Sequence, residues 1–323
     1  SEILTDIGCS VAGGGNGIFS VTPPTWRPDL GEPCDLVEEV ARLVGYDEIR
    51  VTVPPAPVEG AVGLSPDQRH SRQVADELAE YGMVETLSYP FVGDDDFSKA
   101  GLDRDALASI SVEVANPLAA DRPYLRRSVL LTLAQTVQRN RRRGIDDVSI
   151  YELGHVYLRD PNAPAIPALP GAQRPTDDQL AALDAGLPKQ PLHAAGILSG
   201  KAVRTGWLGE ERDVDWTDAL EAVNRVLDRL GLAVAIEQPS ADQVPVSWHP
   251  GRFAYATVDG TRVGCLGEFH PTVNERFGFP AHTGGFELDL DLVFAAIDGK
   301  PVQANPVSTF PPVRQDLAFT VPS

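Results

Sequence analysis

Apolar positions recur at helical spacing along several stretches of the chain and alternate or cluster in strand-length runs between them. Leu36, Val37, Val40, Leu43 and Val44 mark an early helix, with Asp35, Glu38, Glu39 and Arg42 along its opposite stripe and Gly45 as its stop. Asp35 reads as its N-cap, because Asp35-Leu-Val-Glu38 has capping-box spacing. Ser65-Pro66-Asp67 opens a second helix, which runs to Tyr81 and stops at Gly82. A third spans Ser128 to Arg142 and turns Leu130, Leu133, Ala134 and Val137 inward, and DWTDALEAVNRVLDRLG predicts a fourth that ends at Gly231. Strand character appears in GIFSVTPPTW, MVETLSYPFV, ISVEVANP, VSIYELGHVYL and HAAGILSG. RFAYATVDGTRVGCLGEFHP predicts a hairpin turning at Asp259-Gly260, and GGFELDLDLVFAAI a strand followed by a helix. Hairpins mixed with helices, without regular βαβ alternation, predict an α+β fold with a mostly antiparallel sheet.

Composition narrows this picture. A chain of 323 residues suits about two domains of ordinary size. VTVPPAPVEGAVGL, rich in Pro and Gly, reads as the connection between them, and the seven prolines from Arg159 to Pro191 mark a surface insertion. The three cysteines, Cys9, Cys34 and Cys265, form neither a disulfide framework nor a zinc spacing, which points to a reducing cytosol. No apolar run approaches the roughly 20 residues of a membrane-spanning helix. The net charge of −19 makes the chain as a whole a poor binder of polyanions. Any nucleic-acid contact must therefore use a local patch, and Arg126, Arg127, Arg139, Arg141, Arg142 and Arg143 supply one.

Candidate chemistry centres on RPDLGEPCDLVEE, which brings Asp29, Asp35, Glu38 and Glu39 close together in sequence. Two readings stay open from spacing alone. Oxygen ligands without His or Cys suit Mg²⁺ or Ca²⁺. Equally, Asp35 caps the helix, Glu38 pairs with Arg42 at i+4 and Glu39 faces water. GGGNG lacks the Lys-Ser or Lys-Thr of a phosphate loop and reads as a turn. The arginine run likewise reads either as a solvated helix end, as a subunit contact or as an RNA contact. No nucleophile elbow or zinc-binding HExxH helix is present.

Taken together and in order, the blocks become specific. TPPTWRPDLGEPCDLVEEVARLVGYDEI resembles the small domain of the beta subunit of bacterial phenylalanine–tRNA ligase. The resemblance continues through YGMVETLSYPFV, NPLAADRPYLRRSVLLTLAQTVQRN, VSIYELGHVY, HAAGILSG, HPGRFA, VGCLGEFHPTV and FELDL. FPPVRQDLAFTV resembles the first strand of that family's ferredoxin-like anticodon-binding domain. The resemblance implies a small domain over residues 1–52, a connection over 53–64, and a class II synthetase-like core over 65–300 with its insertion at 159–191. Residues 301–323 would begin the anticodon-binding domain, and the chain would be a piece of a longer beta subunit that carries editing and tRNA-binding domains upstream.

For function, the resemblance implies a magnesium site at Asp29, Asp35, Glu38 and Glu39, shared with the alpha subunit. It implies no catalytic residue on this chain. GGFELDLDL places acids where a phosphate clamp would want cations, and Ser128 stands two residues after Arg126 where an acidic partner is expected. ATP and phenylalanine would bind the alpha subunit, in a cytoplasmic alpha2-beta2 tetramer that charges the phenylalanine tRNA. Two other readings compete with this one: a free-standing nucleic-acid-binding module, and an independent Mg²⁺-dependent phosphoryl-transfer enzyme.

Overall fold

Every long apolar stripe finds a sheet face or a neighbouring helix, with one exception in the first unit. The computed structural model describes residues 1–54, 63–207, 209–297 and 308–320. The chain divides into the units Ser1–Gly63 and Leu64–Ser323. In the first, helix α1 (Glu2–Asp6) precedes a hairpin of β1 (Ser10–Gly13) and β2 (Phe19–Thr22), and helix α2 (Pro33–Val44) follows. The GGGNG stretch is the hairpin turn, closed by the Gly14 N–H donating to the Ile18 carbonyl at 2.9 Å.

Helix α2 begins earlier than its apolar pattern predicts. Pro33 is its first residue and Glu32 its N-cap, so Asp35 sits at the third position of the first turn. Its carboxylate reaches back to accept from the N–H groups of Gly31 (2.9 Å) and Glu32 (2.7 Å). The acid thus still satisfies free amides at a helix start, but outside its own turn. The apolar stripe is the exception noted above. Val37, Leu43 and Val44 are exposed, while Glu39 is buried.

The second unit opens with helix α3 (Pro66–Glu80), capped by Ser65 and Gln68 as its sequence predicts. Strand β3 (Val84–Glu85) follows, and a ribbon of β4 (Phe91–Val92) and β5 (Tyr124–Leu125) brackets α4 (Asp94–Lys99) and α5 (Arg104–Ile110). Helix α6 (Val129–Arg141) leads to β6 (Val148–His155), and α7 (Asp177–Ala185) lies within the Pro-rich insertion. Next come β7 (Leu192–Ser199), the ribbon β8 (Lys201–Val203) and β9 (Arg212–Asp213), and α8 (Trp216–Arg229). Strand β10 (Ala235–Glu237) precedes the hairpin of β11 (Trp248–Val258) and β12 (Thr261–Phe269). Helix α9 (Pro271–Phe277), strand β13 (Gly284–Asp289) and helix α10 (Leu290–Ala295) complete the unit.

Seven strands form the central sheet in the order β10-β11-β12-β13-β7-β6-β3. Every neighbouring pair is antiparallel except β3 with β6. The α+β expectation therefore holds. The β11–β12 turn falls at Asp259-Gly260, both at positive φ (48° and 78°), as the tight turn of a right-twisted hairpin requires.

Both faces of the sheet are covered by this unit's own helices. Phe286, Leu288, Ala194 and Leu198 pack in one core with Val74 and Leu78 of α3, Val223 and Val226 of α8, and Val293 of α10. Ala195, Ile197, Ile150 and Phe269 pack in the other with Leu133 and Val137 of α6 and Val273 and Phe277 of α9. Alternation along each strand produces this division. Gly196 makes it possible at the centre, because a Cβ there would lie 2.5 Å from the Phe286 ring and 2.7 Å from Met83.

Three strand expectations change. MVETLSYPFV is divided between β3 and β4, with Pro90, which has no N–H for a ladder, between them. ISVEVANP keeps little more than an isolated bridge from Glu113 to Tyr124. Its partner segment carries Pro123, whose carbonyl accepts from Val114 but which has no N–H to return. Residues 308–320 form no strand and are exposed, while 301–307 and 321–323 lie outside the described residues.

The two-sided burial yields a direct prediction. Phe286 is fully buried at the sheet centre, and Phe286→Ala should lower unfolding stability by about 3–5 kcal/mol in denaturant titration. A loss under about 1 kcal/mol would mean that this face is not the core.

Candidate functional site

The four acids do not converge on one point. Arg27 takes up two of them: its Nε lies 3.0 Å from both Asp29 carboxylate oxygens, and its Nη1 donates to Glu39 Oε2 at 3.2 Å. Arg42 donates to the same Glu39 oxygen at 2.8 Å from Nη2. Glu39, expected in water, is thus buried between two guanidiniums, and Arg42 pairs with it rather than with Glu38. The hydrogen bonds from Arg42 and Arg27 hold the Glu39 carboxyl down at about 2, and that from Arg27 lowers Asp29. Asp35 serves the Gly31 and Glu32 amides, and Glu38 is exposed and makes no ion pair among the described residues.

Among the described residues no group of three or more His, Cys, Asp or Glu side chains is arranged to hold a metal ion. The chemistry of the set is right for Mg²⁺, since all four are hard oxygen donors. Its arrangement does not fit, because the oxygens of Asp29 and Glu39 face guanidinium groups where a dication would have to stand.

The arginine run also separates into distinct environments. Arg126 is not a surface contact, contrary to expectation, because it is 3% exposed. Its Nη1 donates to Glu152 at 2.6 Å and to the Thr132 hydroxyl at 2.8 Å, and its Nε donates to the His155 carbonyl at 3.0 Å. Gly154 makes the necessary room, since any Cβ there would collide with the guanidinium. Arg127 is half-buried and donates to the Ile110 carbonyl at 2.9 Å. Arg139 donates to the Thr136 hydroxyl, and Arg141 ties the end of α6 to the Gly278 and Asp146 carbonyls. Arg142 and Arg143 are exposed and form no ion pair among the described residues.

A third cluster was not signalled by any local motif. Glu287, at the middle of β13, lies between Cys265 and Ala195 in the strand register. Its Oε1 accepts from the Val129 N–H at 2.9 Å and lies 2.9 Å from His193 Nδ1, and its Oε2 accepts from the Ser128 hydroxyl. His193 also lies 3.7 Å from Asp289, its register partner. Burial alone pulls the imidazole down, but Asp289 and Glu287 outweigh it and raise its pKa to about 9. Glu268 is similarly enclosed by Arg252 (2.8 Å), His282 (3.1 Å) and the Trp216 N–H (3.3 Å). These buried acids are therefore held by fixed partners of the same unit, and both faces of the sheet that carries them are occupied.

Comparison with known proteins adds to this geometry. Residues 49–290 match the family described as "Phenylalanyl tRNA synthetase beta chain CLM domain". Residues 1–46 match "tRNA synthetase B5 domain". The chain belongs to the phenylalanyl-tRNA synthetase beta chain family. A phenylalanine–tRNA ligase beta subunit of Bifidobacterium longum is 69% identical over 99% of this chain and 37% of its own length. The corresponding subunit of Thermobifida fusca is 40% identical over 98% of this chain and 38% of its own. The chain thus spans under two-fifths of these relatives. A pyrrolysyl-tRNA synthetase structure from Desulfitobacterium hafniense superposes with a TM-score of 0.49 at 13% identity, over 72% of this chain and 69% of that one. Within the beta chain family, the four acids fall in the B5 match, and Arg126, Glu152 and Glu287 fall in the CLM match.

Two predictions follow from the electrostatics of these clusters. Folding raises the His193 pKa from 6.5 to about 9, so the stability it contributes is whole below about pH 6.5 and is lost as pH climbs through about 9. Denaturation at pH 7 and pH 10 should differ by a His193-dependent amount of the order of 2–3 kcal/mol, and His193→Gln should flatten that interval. In the first unit, Arg27→Ala should lower the thermal midpoint by releasing Glu39 and Asp29, whereas millimolar Mg²⁺ or EDTA should leave the wild-type midpoint unchanged. A Mg²⁺-dependent rise in the wild-type midpoint would show that the acids do rearrange around the ion.

Proposed function

We propose that this chain is a non-catalytic beta-subunit core of phenylalanine–tRNA ligase. It buttresses an alpha subunit that binds ATP and phenylalanine and charges the tRNA, within a cytoplasmic alpha2-beta2 enzyme. The observation that carries this reading is the pairing of charges near the centre of the sheet. Helices of the same unit pack on both faces, and Arg126, Glu287 and Glu268 each have polar partners within it. Adenylate chemistry needs cations free to meet phosphates. Here Arg126 is committed to Glu152, and Glu287 and Asp289 stand beside His193.

The sheet edge supports the scaffold reading. Beside β3, a two-residue edge strand, Val84, Leu87 and Tyr89 are 63%, 88% and 83% exposed. An apolar edge of this kind suits a permanent subunit contact. Arg142 and Arg143, exposed at the end of α6, are the arginines of the run best placed to meet the partner chain or tRNA. Magnesium at the small domain would require further ligands from the alpha subunit and the release of Asp29 or Glu39 by Arg27.

Phenylalanine-dependent ATP–pyrophosphate exchange tests the proposal. This chain alone should be silent, as should alpha alone, and mixing the two should produce exchange. Exchange by this chain alone would overturn the reading. Leu87→Glu with Tyr89→Glu should abolish co-sedimentation with alpha without lowering the thermal midpoint of this chain.

A further inference from the structure

A cavity of about 250 Å³ lies on the α6 and α9 side of the sheet, walled by Phe97, Trp248, Phe269, Phe277 and Phe279. For scale, an apolar cavity of about 150 Å³ is enough to take up benzene. Its few polar wall groups already have partners. The Ser128 hydroxyl donates to Glu287, and the Ser247 hydroxyl donates to the Ala100 carbonyl at 2.6 Å. Glu287 itself receives Val129, Ser128 and His193. Burial raises the Cys265 thiol far above its ordinary range, so it stays neutral.

Arg127 differs from the rest of the wall. It lines the cavity, is half-buried, and makes one side-chain hydrogen bond, to the Ile110 carbonyl, with no ion pair among the described residues. Burial lowers its pKa, with no nearby carboxylate to offset the cost. In a chain with 46 acidic and 27 basic residues, a partly desolvated guanidinium without an acid is an unmet demand for an anion. Arg127 is a half-buried member of the cavity wall, as are Leu102, Leu107 and Leu130, so its guanidinium is within reach of a ligand that enters from solvent.

We propose that this cavity is a binding site for a small aromatic monocarboxylate, with its ring among the five aromatic side chains and its carboxylate on Arg127. A planar carboxylate matches the guanidinium fork, and its single charge matches the single guanidinium on this wall. An α-amino group would have to compete for Glu287, which already serves three donors. The site therefore favours an amine-free acid over an amino acid. This proposal does not depend on the scaffold role.

Calorimetric titration of the 323-residue chain with 3-phenylpropionate, 3-phenylpropanol and phenylalanine tests it. Phenylpropionate should bind more tightly than either of the others. Arg127→Met, which keeps an apolar stem, should weaken phenylpropionate about tenfold, as expected for one charge-assisted contact, and leave phenylpropanol unchanged. Ala134→Leu, which fills the wall, should abolish both; if that variant fails to fold, Arg127→Met alone decides. Absence of phenylpropionate binding at millimolar concentration would overturn the proposal, as would binding that Arg127→Met leaves intact. Phenylalanine binding as tightly as phenylpropionate would overturn the amine-free preference.

Discussion

The second unit depends on how α6 is fastened to the sheet. The first amide of this helix, that of Val129, donates to Glu287 in the middle of β13. Ser128 caps the helix with one lone pair and donates its hydroxyl proton to the same carboxylate. A negative charge at a helix N-terminus is favoured by the helix dipole as well as by the hydrogen bonds. Just before the helix, Arg126 turns inward to Glu152 on β6. Two acids from two strands thus fix where α6 begins, and its apolar face then covers Ala195, Ile197 and Ile150.

This fastening uses the groups that a phosphate-handling site would need. A buried ion pair is a weak source of stability, since desolvation consumes most of its Coulombic gain, but removing one partner strands the other. Arg126 and Glu152 are therefore committed to each other. His193 is likewise retained in its charged form by Glu287 and Asp289. The sheet gains a unique arrangement of its covering helix, with Arg126 and His193 both given fixed acidic partners.

The small unit repeats the theme with exposed apolar residues in place of a sealed core. Arg27 and Arg42 draw Glu39 into the interior, which leaves Val37, Leu43 and Val44 of α2 exposed. An acid buried between two guanidiniums is an ordered structural feature, and it competes with any role for the same oxygens as metal ligands. Acids with the right chemistry for an ion are not yet a site. Their oxygens must also be free and convergent.

The order of helices and strands was set locally, and much of it could be read from residues close in the chain. Ser65-Pro66 with Gln68, Asp259-Gly260 and the stripes of α6 and α8 each carry their own start, turn or face within a few positions. The composition of the acid group was equally visible. What sequence could not supply was pairing at a distance. Glu39 looked solvated because Arg27 lies twelve positions away on a preceding loop. Arg126 looked like a surface cation because Glu152 and Gly154 reach it only once β6 is in the sheet. The buried cluster joins Glu287 to Ser128 and His193, each more than ninety positions away in the chain. Local propensity and periodicity act over a few residues, whereas burial and charge pairing are decided by which surfaces the folded sheet brings together.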